Sequence, residues 1–289
     1  KMINKIYKII NNKYSRFFKF VFFLRYLLAV FFVAIVFFLN IPKFFDYKKK
    51  EENIKNYLLK NYDLEIKKLD KIKFNSFPLP SLKINDLVIS FHSEDINLNV
   101  QKLIIYPNLF SIYNYENFQV RKIKLENSNF ISDIKNLQFL TKKLSNLKKK
   151  LHFKNLNIKI KDSQSHVIDL NKMNFFNFGY KKNIIDGEVF KRNFKIKFLD
   201  KSRVIFKLPD TGISITLNIT DSSLVNRYMG NLKGNILKSN FKFNFIFEES
   251  FLKIDKFFLR NKDLSFDSKG TIRFNPFFKI NLDSEVRNL

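Results

Sequence analysis

The run from Phe17 to Leu39, FFKFVFFLRYLLAVFFVAIVFFL, limits what this chain can fold into more than any other stretch. A bilayer core about 30 Å thick is crossed by roughly 20 apolar residues in a helix rising about 1.5 Å per residue. Only Lys19 and Arg25 carry charge within the run, and both side chains are long enough to reach back toward headgroups. Two other readings compete. A buried core helix needs helical neighbours around it, and the rest of the chain offers few. A cleaved signal has a shorter apolar region followed by small residues, whereas Val36-Phe37-Phe38-Leu39-Asn40-Ile41-Pro42 has no such pattern. The run reads as an uncleaved transmembrane helix, residues 17–41, between a basic tail (1–16) and a body (42–289).

Basic residues set its expected direction. Lys1, Lys5, Lys8, Lys13, Arg16 and Lys19 lie before or at the start of the span with no acidic residue among them. Lys43 and Lys48 to Lys50 follow it, mixed with Asp46, Glu51 and Glu52. Acidic residues weigh little in the positive-inside rule, so the contrast favours a cytoplasmic N-terminus and a translocated body. Phe44, Phe45 and Tyr47 suit the far interface. The chain starts Lys1-Met2 and stops at Leu289 inside a strand-like pattern, which leads us to expect a longer parent protein, truncated here at the C-terminus.

Beyond the span the hydrophobic period changes. Tyr47 to Asn61 places Ile54, Tyr57, Leu58 and Asn61 on one helical face. From Leu64 the period is two, as in Leu82, Ile84, then Leu87, Ile89 and Phe91, or Ile96, Leu98, Val100, then Leu103 and Ile105. The same alternation recurs in Leu156, Ile158, Ile160; in Phe194, Ile196, Phe198; and in Phe241, Phe243, Phe245, Phe247, with lysine and asparagine at many of the positions between. Ser132 to Leu151 is a helical interruption, either covering the sheet or lying on a membrane as a basic amphipathic helix. Asp221 to Met229 reads as a short helical turn, and the six glycines as turn or strand-edge residues. Alternation of this kind belongs to antiparallel strands with one apolar and one wet face. With few helices to cover it, that face must close on itself, pack on another sheet or leave a trough. The fold class is mainly β: an N-terminal transmembrane helix, then a long antiparallel, curled sheet (groove or open sandwich) with one or two short helices.

A net charge of +27 invites a nucleic-acid reading. The lysines, however, are scattered along strands, and no helix-turn-helix, zinc spacing or RRM-type aromatic signature occurs. A chain rich in Lys, Asn, Ile and Phe and devoid of Trp is also what an AT-rich genome encodes. Nucleic acid is therefore not an expected partner, while anionic headgroups and other polyanions suit a basic surface. The lack of Cys removes disulfides and thiol chemistry and fits a bacterial envelope. No Gly-x-Ser-x-Gly, phosphate loop or His-Glu-x-x-His is present. His92, His152 and His166 stand alone at strand ends, and the pairs Glu94-Asp95 and Glu248-Glu249 fall at turns. Nothing here points to an enzyme, a metal or a cofactor.

The segments have an order of their own. LEIKKLDKIKFNSFPLPSLKINDLVIS, from Leu64, is a strand, a proline-containing break and then Leu-x-Ile-x-x-Leu-x-Ile. QKLIIYPNLFSIYNYENFQVRKIKLENSNF (Gln101 to Phe130) holds a turn at Leu109-Phe110-Ser111-Ile112 and a strand from Ile123 to Phe130. LHFKNLNIKIKDSQSHVIDLNKMNFF and GNILKSNFKFNFIFEESFLKIDKFFLRNKDLSFDSKGTIRFNP are further hairpins. Together with the anchor, this order resembles the AsmA-like envelope proteins, although glycines at turns are fewer than that family usually has. The resemblance implies an inner-membrane-anchored periplasmic protein of outer-membrane biogenesis, similar to bridge-like lipid transfer proteins whose sheets curl around an apolar groove. It implies the inner membrane and phospholipid as partners, with envelope proteins at the outer membrane beside them. The residues that would contact acyl chains are Leu156, Ile158, Ile160, Phe194, Ile196, Phe198, Phe241, Phe243, Phe245 and Phe247; ordinary core is the competing role for each. A membrane-tethered structural or adaptor protein with a closed β-sandwich and no lipid cargo is the alternative, and a polyanion binder the third.

Overall fold

The computed structural model describes residues 14–91, 96–114, 116–133, 147–162, 165–200, 202–221, 227–248, 251–273 and 277–288. The apolar run is helix α1 (Ser15–Asn40), long and apolar enough to cross a membrane, and its most apolar window is nowhere buried against the protein. A 3-10 turn (Ile41–Phe44) leads to helix α2 (Glu51–Tyr62). The strands follow: β1 (Leu64–Lys68), β2 (Lys73–Asn75), β3 (Ser81–Phe91), β4 (Ile96–Pro107), β5 (Val120–Asp133), β6 (Leu151–Asp162), β7 (Ser165–Phe176) and β8 (Ile184–Val189). They continue as β9 (Arg192–Phe198), β10 (Arg203–Leu208), β11 (Ile213–Asp221), β12 (Arg227–Ile236), β13 (Ser239–Glu248), β14 (Phe251–Arg260), β15 (Ser265–Arg273) and β16 (Lys279–Asn288).

All sixteen strands belong to one sheet, ordered β1-β3-β4 and then in sequence to β16, with short β2 paired to β3. No second sheet faces it among the described residues, so the apolar face is not the inside of a two-sheet sandwich. Neighbours are antiparallel except β5 and β6, which run parallel. A parallel pair needs a crossover connection. The C-terminal part of that connection is held down: Asn177 Nδ2 donates to Leu147 O (3.1 Å), and Ile123 N donates to Lys150 O (3.0 Å).

The anchor and the sheet are joined by polar contacts at the foot of α1. Asn40 ends the helix, its Nδ2 donating to Val36 O (2.7 Å) while its Oδ1 accepts from Ser76 Oγ (2.8 Å). The Tyr113 hydroxyl donates to Phe38 O, and its ring stacks on Phe38 at 4.6 Å. Helix α2 buries Ile54, Leu58 and Tyr62 in the core shared with the sheet. Tyr57 Oη accepts from Val120 N (3.1 Å), and the Tyr62 hydroxyl donates to Lys150 O (3.4 Å).

A line of backbone irregularities crosses the sheet at one level. Asp86, Asn127, Asn155 and Lys172, on β3, β5, β6 and β7, all have φ between 47° and 56°. Asp86 and Asn127 both fall opposite Gln101 of β4, and Asn155 falls opposite Asn127. At this level each strand departs from the period of two, so buried side chains three apart (Ile84 and Leu87, Leu125 and Ser128, Phe153 and Leu156) return to the same face, while the pairing from β3 to β6 runs through without a shift. Asn and Asp tolerate the left-handed conformation better than most residues. Asn127 Nδ2 donates to Gln101 Oε1 (2.6 Å), and Asn155 Nδ2 donates to Asn127 Oδ1 (2.8 Å), which stitches the line on the wet face.

Several expectations need correction. Ser132 and Asp133 continue β5 and Leu151 opens β6, so the ends of the expected helix are strand; residues 134–146 lie outside the described residues. Asp221 ends β11 and Arg227 to Met229 open β12, so the expected helical turn is strand at both ends. Tyr47 is buried, its hydroxyl donating to Pro42 O (2.7 Å), and belongs to the core instead of the far interface. Gly187, Gly230, Gly234 and Gly270 sit inside strands; only Gly179 and Gly212 are at turns. Gly230 pairs with Phe245 and Gly234 with Phe241, so each glycine lies under a neighbouring ring. A Cβ on Gly230 would collide with Asn218 O and stand 3.0 Å from the Phe245 ring. Gly230→Ala is expected to cost about 1–3 kcal/mol, the usual range for overpacking. Urea unfolding of the purified chain followed by circular dichroism measures it, and an unchanged midpoint would show that β11 and β12 are not this close.

Candidate functional site

The ten apolar residues marked in the sequence fall on one face of the sheet. Cross-strand partners in a ladder share a face, and the register can be followed from strand to strand. Leu156, Ile158 and Ile160 pair with Met173, Leu170 and Ile168. Phe194 and Ile196 pair with Gly187 and Ile185 of β8, and Ile196 and Phe198 with Phe206 and Val204 of β10. Phe206 and Val204 pair with Ile215 and Leu217, which in turn pair with Gly234 and Leu232. Gly234, Leu232, Gly230 and Tyr228 then pair with Phe241, Phe243, Phe245 and Phe247.

This common face has two halves. From β1 to β9 it is the protein's core: Leu82, Ile84, Leu103, Ile105 and Ile123 are fully buried, and Leu156, Ile158, Ile160 and Phe194 belong to the same cluster. Ile196, Phe198, Phe206 and Leu208 pack against its border, half-buried. Beyond β10 the alternation continues but the cluster stops. Ile215, Leu217, Leu232, Phe243, Phe245, Phe247, Phe257 and Phe266 are half-buried, and only Phe241 and Ile254 on this part of the face are buried among the large apolar residues. On β16, Ile280, Leu282 and Val286 are exposed at 51%, 44% and 54%.

The open half carries a ladder of phenylalanine rings. Phe243 lies 5.8 Å from Phe257, and Phe257 5.7 Å from Phe266, so the contact runs across β13, β14 and β15. Along β13, Phe241, Phe243 and Phe245 follow at 6.4 and 6.0 Å. These are ordinary separations for tilted and offset rings. The result is a strip of aromatic surface, backed by the sheet and open on the other side. None of these ring positions carries a titratable group.

The opposite face is wet and basic. Around β5 and β6 it gathers Lys122, Lys124 and His152, with Lys122 Nζ 4.5 Å above the Tyr106 ring. His152 stacks on Phe176 at 3.8 Å. Burial, reinforced by the charges of Lys124 and Lys122, pushes the His152 imidazole down to about 4, so it is neutral at pH 7. Burial alone would raise the Glu126 carboxyl, but the hydrogen bond and charge of Lys124 (2.5 Å) and the charge of Lys102 outweigh it and hold it below its ordinary value. His166 lies in β7, and His92 and the Glu94-Asp95 pair lie outside the described residues. Among the described residues no group of three or more His, Cys, Asp or Glu is placed to hold a metal. A second concavity of about 900 Å³ lies between the foot of α1 and β2, lined by Lys43, Lys48, Lys71 and Lys73 together with Asp46, Glu51 and Asp70 among other residues.

Compared with known proteins, the chain matches no family model and no curated protein.

The His152 environment has a pH signature. Its folded pKa lies below the ordinary value of 6.5, so the unfolded chain binds more protons between pH 6.5 and 4. Its contribution to stability is complete above pH 6.5 and is lost as pH falls toward 4. His152→Phe keeps a ring on Phe176 and removes the proton. On going from pH 7 to pH 5 the variant is expected to lose about 1 kcal/mol less than the parent, the half-exposed ring being partly screened by solvent. Thermal melts at the two pH values measure this, and identical losses would contradict the assignment.

Proposed function

We propose that this protein is a non-enzymatic lipid-binding protein of the bacterial inner membrane, with a cytoplasmic N-terminus and a periplasmic β-body. In this reading it holds or conducts phospholipid along the open half of its sheet, in the service of outer-membrane biogenesis. The observation that carries the reading is the break in cover at β10. One apolar face runs across the whole sheet, yet the core cluster stops where Phe206 and Leu208 meet it, and the Phe243-Phe257-Phe266 ladder beyond it is half-buried and lies outside that cluster. Apolar surface left in water costs roughly 25 cal/mol per Å², and about 0.8 kcal/mol is recovered for each acyl methylene buried on it. Acyl chains are the cover that suits a long, featureless, unbranched strip. The lysines of the wet face and the strand ends would keep phosphate headgroups nearby. The AsmA-like order of segments and the apolar helix point the same way.

Phe243→Asp together with Phe257→Asp tests the reading on the full chain purified in mild detergent. Lipid around α1 is the same for parent and variant, so the difference in phospholipid per protein, read by mass spectrometry, reports on the sheet. The double variant is expected to keep its circular dichroism spectrum while losing several-fold in bound phospholipid. A variant that unfolds would mean a closed core. A folded variant with unchanged lipid, or a parent that carries no more lipid than the variant, would overturn the reading.

A further inference from the structure

Exposed large apolar side chains gather around the foot of α1. Phe44, in the 3-10 turn that follows the helix, is 89% exposed, and Phe110, in the loop between β4 and β5, is 76% exposed. Phe77 and Leu79, in the loop between β2 and β3, and Leu109, beside Phe110, are also exposed. These residues come from three separate segments, and each segment is fastened to the helix end. The first is continuous with it. The second reaches it through Ser76 Oγ, which donates to Asn40 Oδ1 (2.8 Å). The third reaches it through Tyr113, which stacks on Phe38 and lies edge-on to Phe45 at 5.9 Å. The loop positions are themselves braced: Ser111 Oγ donates to Gln119 O (2.8 Å), and Asn108 Nδ2 to Gln119 Oε1 (3.1 Å).

We infer that these three segments form a collar that sits in the membrane interface around the end of α1, its apolar tips among the upper acyl chains of the leaflet next to the β-body. The inference rests on α1 crossing the membrane. Its partner is the bilayer itself, because the collar is continuous with a helix long and apolar enough to cross a membrane, whose most apolar window is not buried against the protein. Held at Asn40 and Phe38, the tips stand at the level where a helix of this length leaves the hydrocarbon. Interfacial apolar groups typically sit about 5–10 Å below the headgroup boundary. A collar of this kind fixes the tilt of the sheet over the bilayer. It also sets the first strands (β2 to β5) on the membrane, so the covered half of the sheet is nearest the bilayer and the open half farther along.

The chain has no Trp, which makes single reporters unambiguous. The full chain is placed in phosphatidylcholine vesicles whose acyl chains carry bromine either near the carboxyl end or near the methyl end. Three variants probe depth: Phe110→Trp and Phe44→Trp in the collar, and Val33→Trp in the middle of α1. Phe190→Trp and Leu237→Trp, at hairpin tips on the opposite ends of their strands and likewise exposed, serve as controls. The collar reporters are expected to lose emission mainly to bromine near the carboxyl end, the α1 reporter mainly to bromine near the methyl end, and the controls to neither. Because the substituted side chains are exposed, the fold should be kept, and circular dichroism verifies it. Loss at Val33→Trp without loss at Phe110→Trp and Phe44→Trp overturns the collar and leaves the anchor standing. No loss at any of the three overturns both. Loss at the collar without loss at Val33→Trp overturns the inference as well, because the collar is placed by a helix that crosses the membrane.

Discussion

A β-sheet satisfies its backbone sideways, strand to strand, and does nothing for the faces it creates. If one face is apolar along its whole length, something must take it out of water, and the rest of this structure follows from where that cover is supplied and where it ends. From β1 to β9 the cover is the chain itself. Helix α2, the segment around Tyr47, and Leu69 and Phe74 join the strands in one cluster with Ile84, Leu103 and Ile123 at its centre. From β11 onward the same alternation continues with no helix above it among the described residues. Sheet hydrogen bonding propagates without regard to cover, so the open half is built as regularly as the closed half.

Curvature decides what shape the uncovered part takes. The line of positive-φ residues from Asp86 to Lys172 offsets the in-out alternation of the strands that carry the core. In the open half the tight spots are of another kind: Gly230 and Gly234 let β11 and β12 approach under the rings of Phe245 and Phe241. Strand twist of the usual hand lets a sheet of many strands coil instead of lying flat. At the other end of the chain, Asn40, Ser76 and Tyr113 join the sheet to the end of α1.

Much of this was legible in the residues. The apolar run became α1 within two residues of its expected bounds, and each strand run quoted above, from Leu82 to Phe247, is a strand. The steps from Ile84 to Leu87 and from Val100 to Leu103 were visible as breaks in a period of two, but only the register shows that they line up across neighbouring strands. The parallel pairing of β5 with β6 leaves no local trace, because strand direction depends on a connection and not on a pattern. The difference between Phe194, in the core, and Phe243, half-open, could not be read at all: both sit in the same Phe-Lys alternation, and their burial depends on tertiary packing that the alternation does not encode. Tyr47 misled for the same reason, since an aromatic beside a membrane span suits an interface until a distant sheet supplies a pocket for it. The strand glycines were taken for turn residues because their function, admitting a neighbouring ring, is a property of the partner strand.

The central question is what lies over the Phe243-Phe257-Phe266 ladder in a living cell. A photoreactive benzophenone amino acid placed at Phe257, and in separate samples at Ile84 and Asn244, answers this after irradiation of intact cells and mass analysis of the isolated chain. The account predicts phospholipid adducts at position 257, adducts only within the chain at position 84, and no lipid at position 244 on the wet face. Position 257 cross-linked to protein alone, or equally labelled by lipid on both faces of β13 and β14, would contradict it.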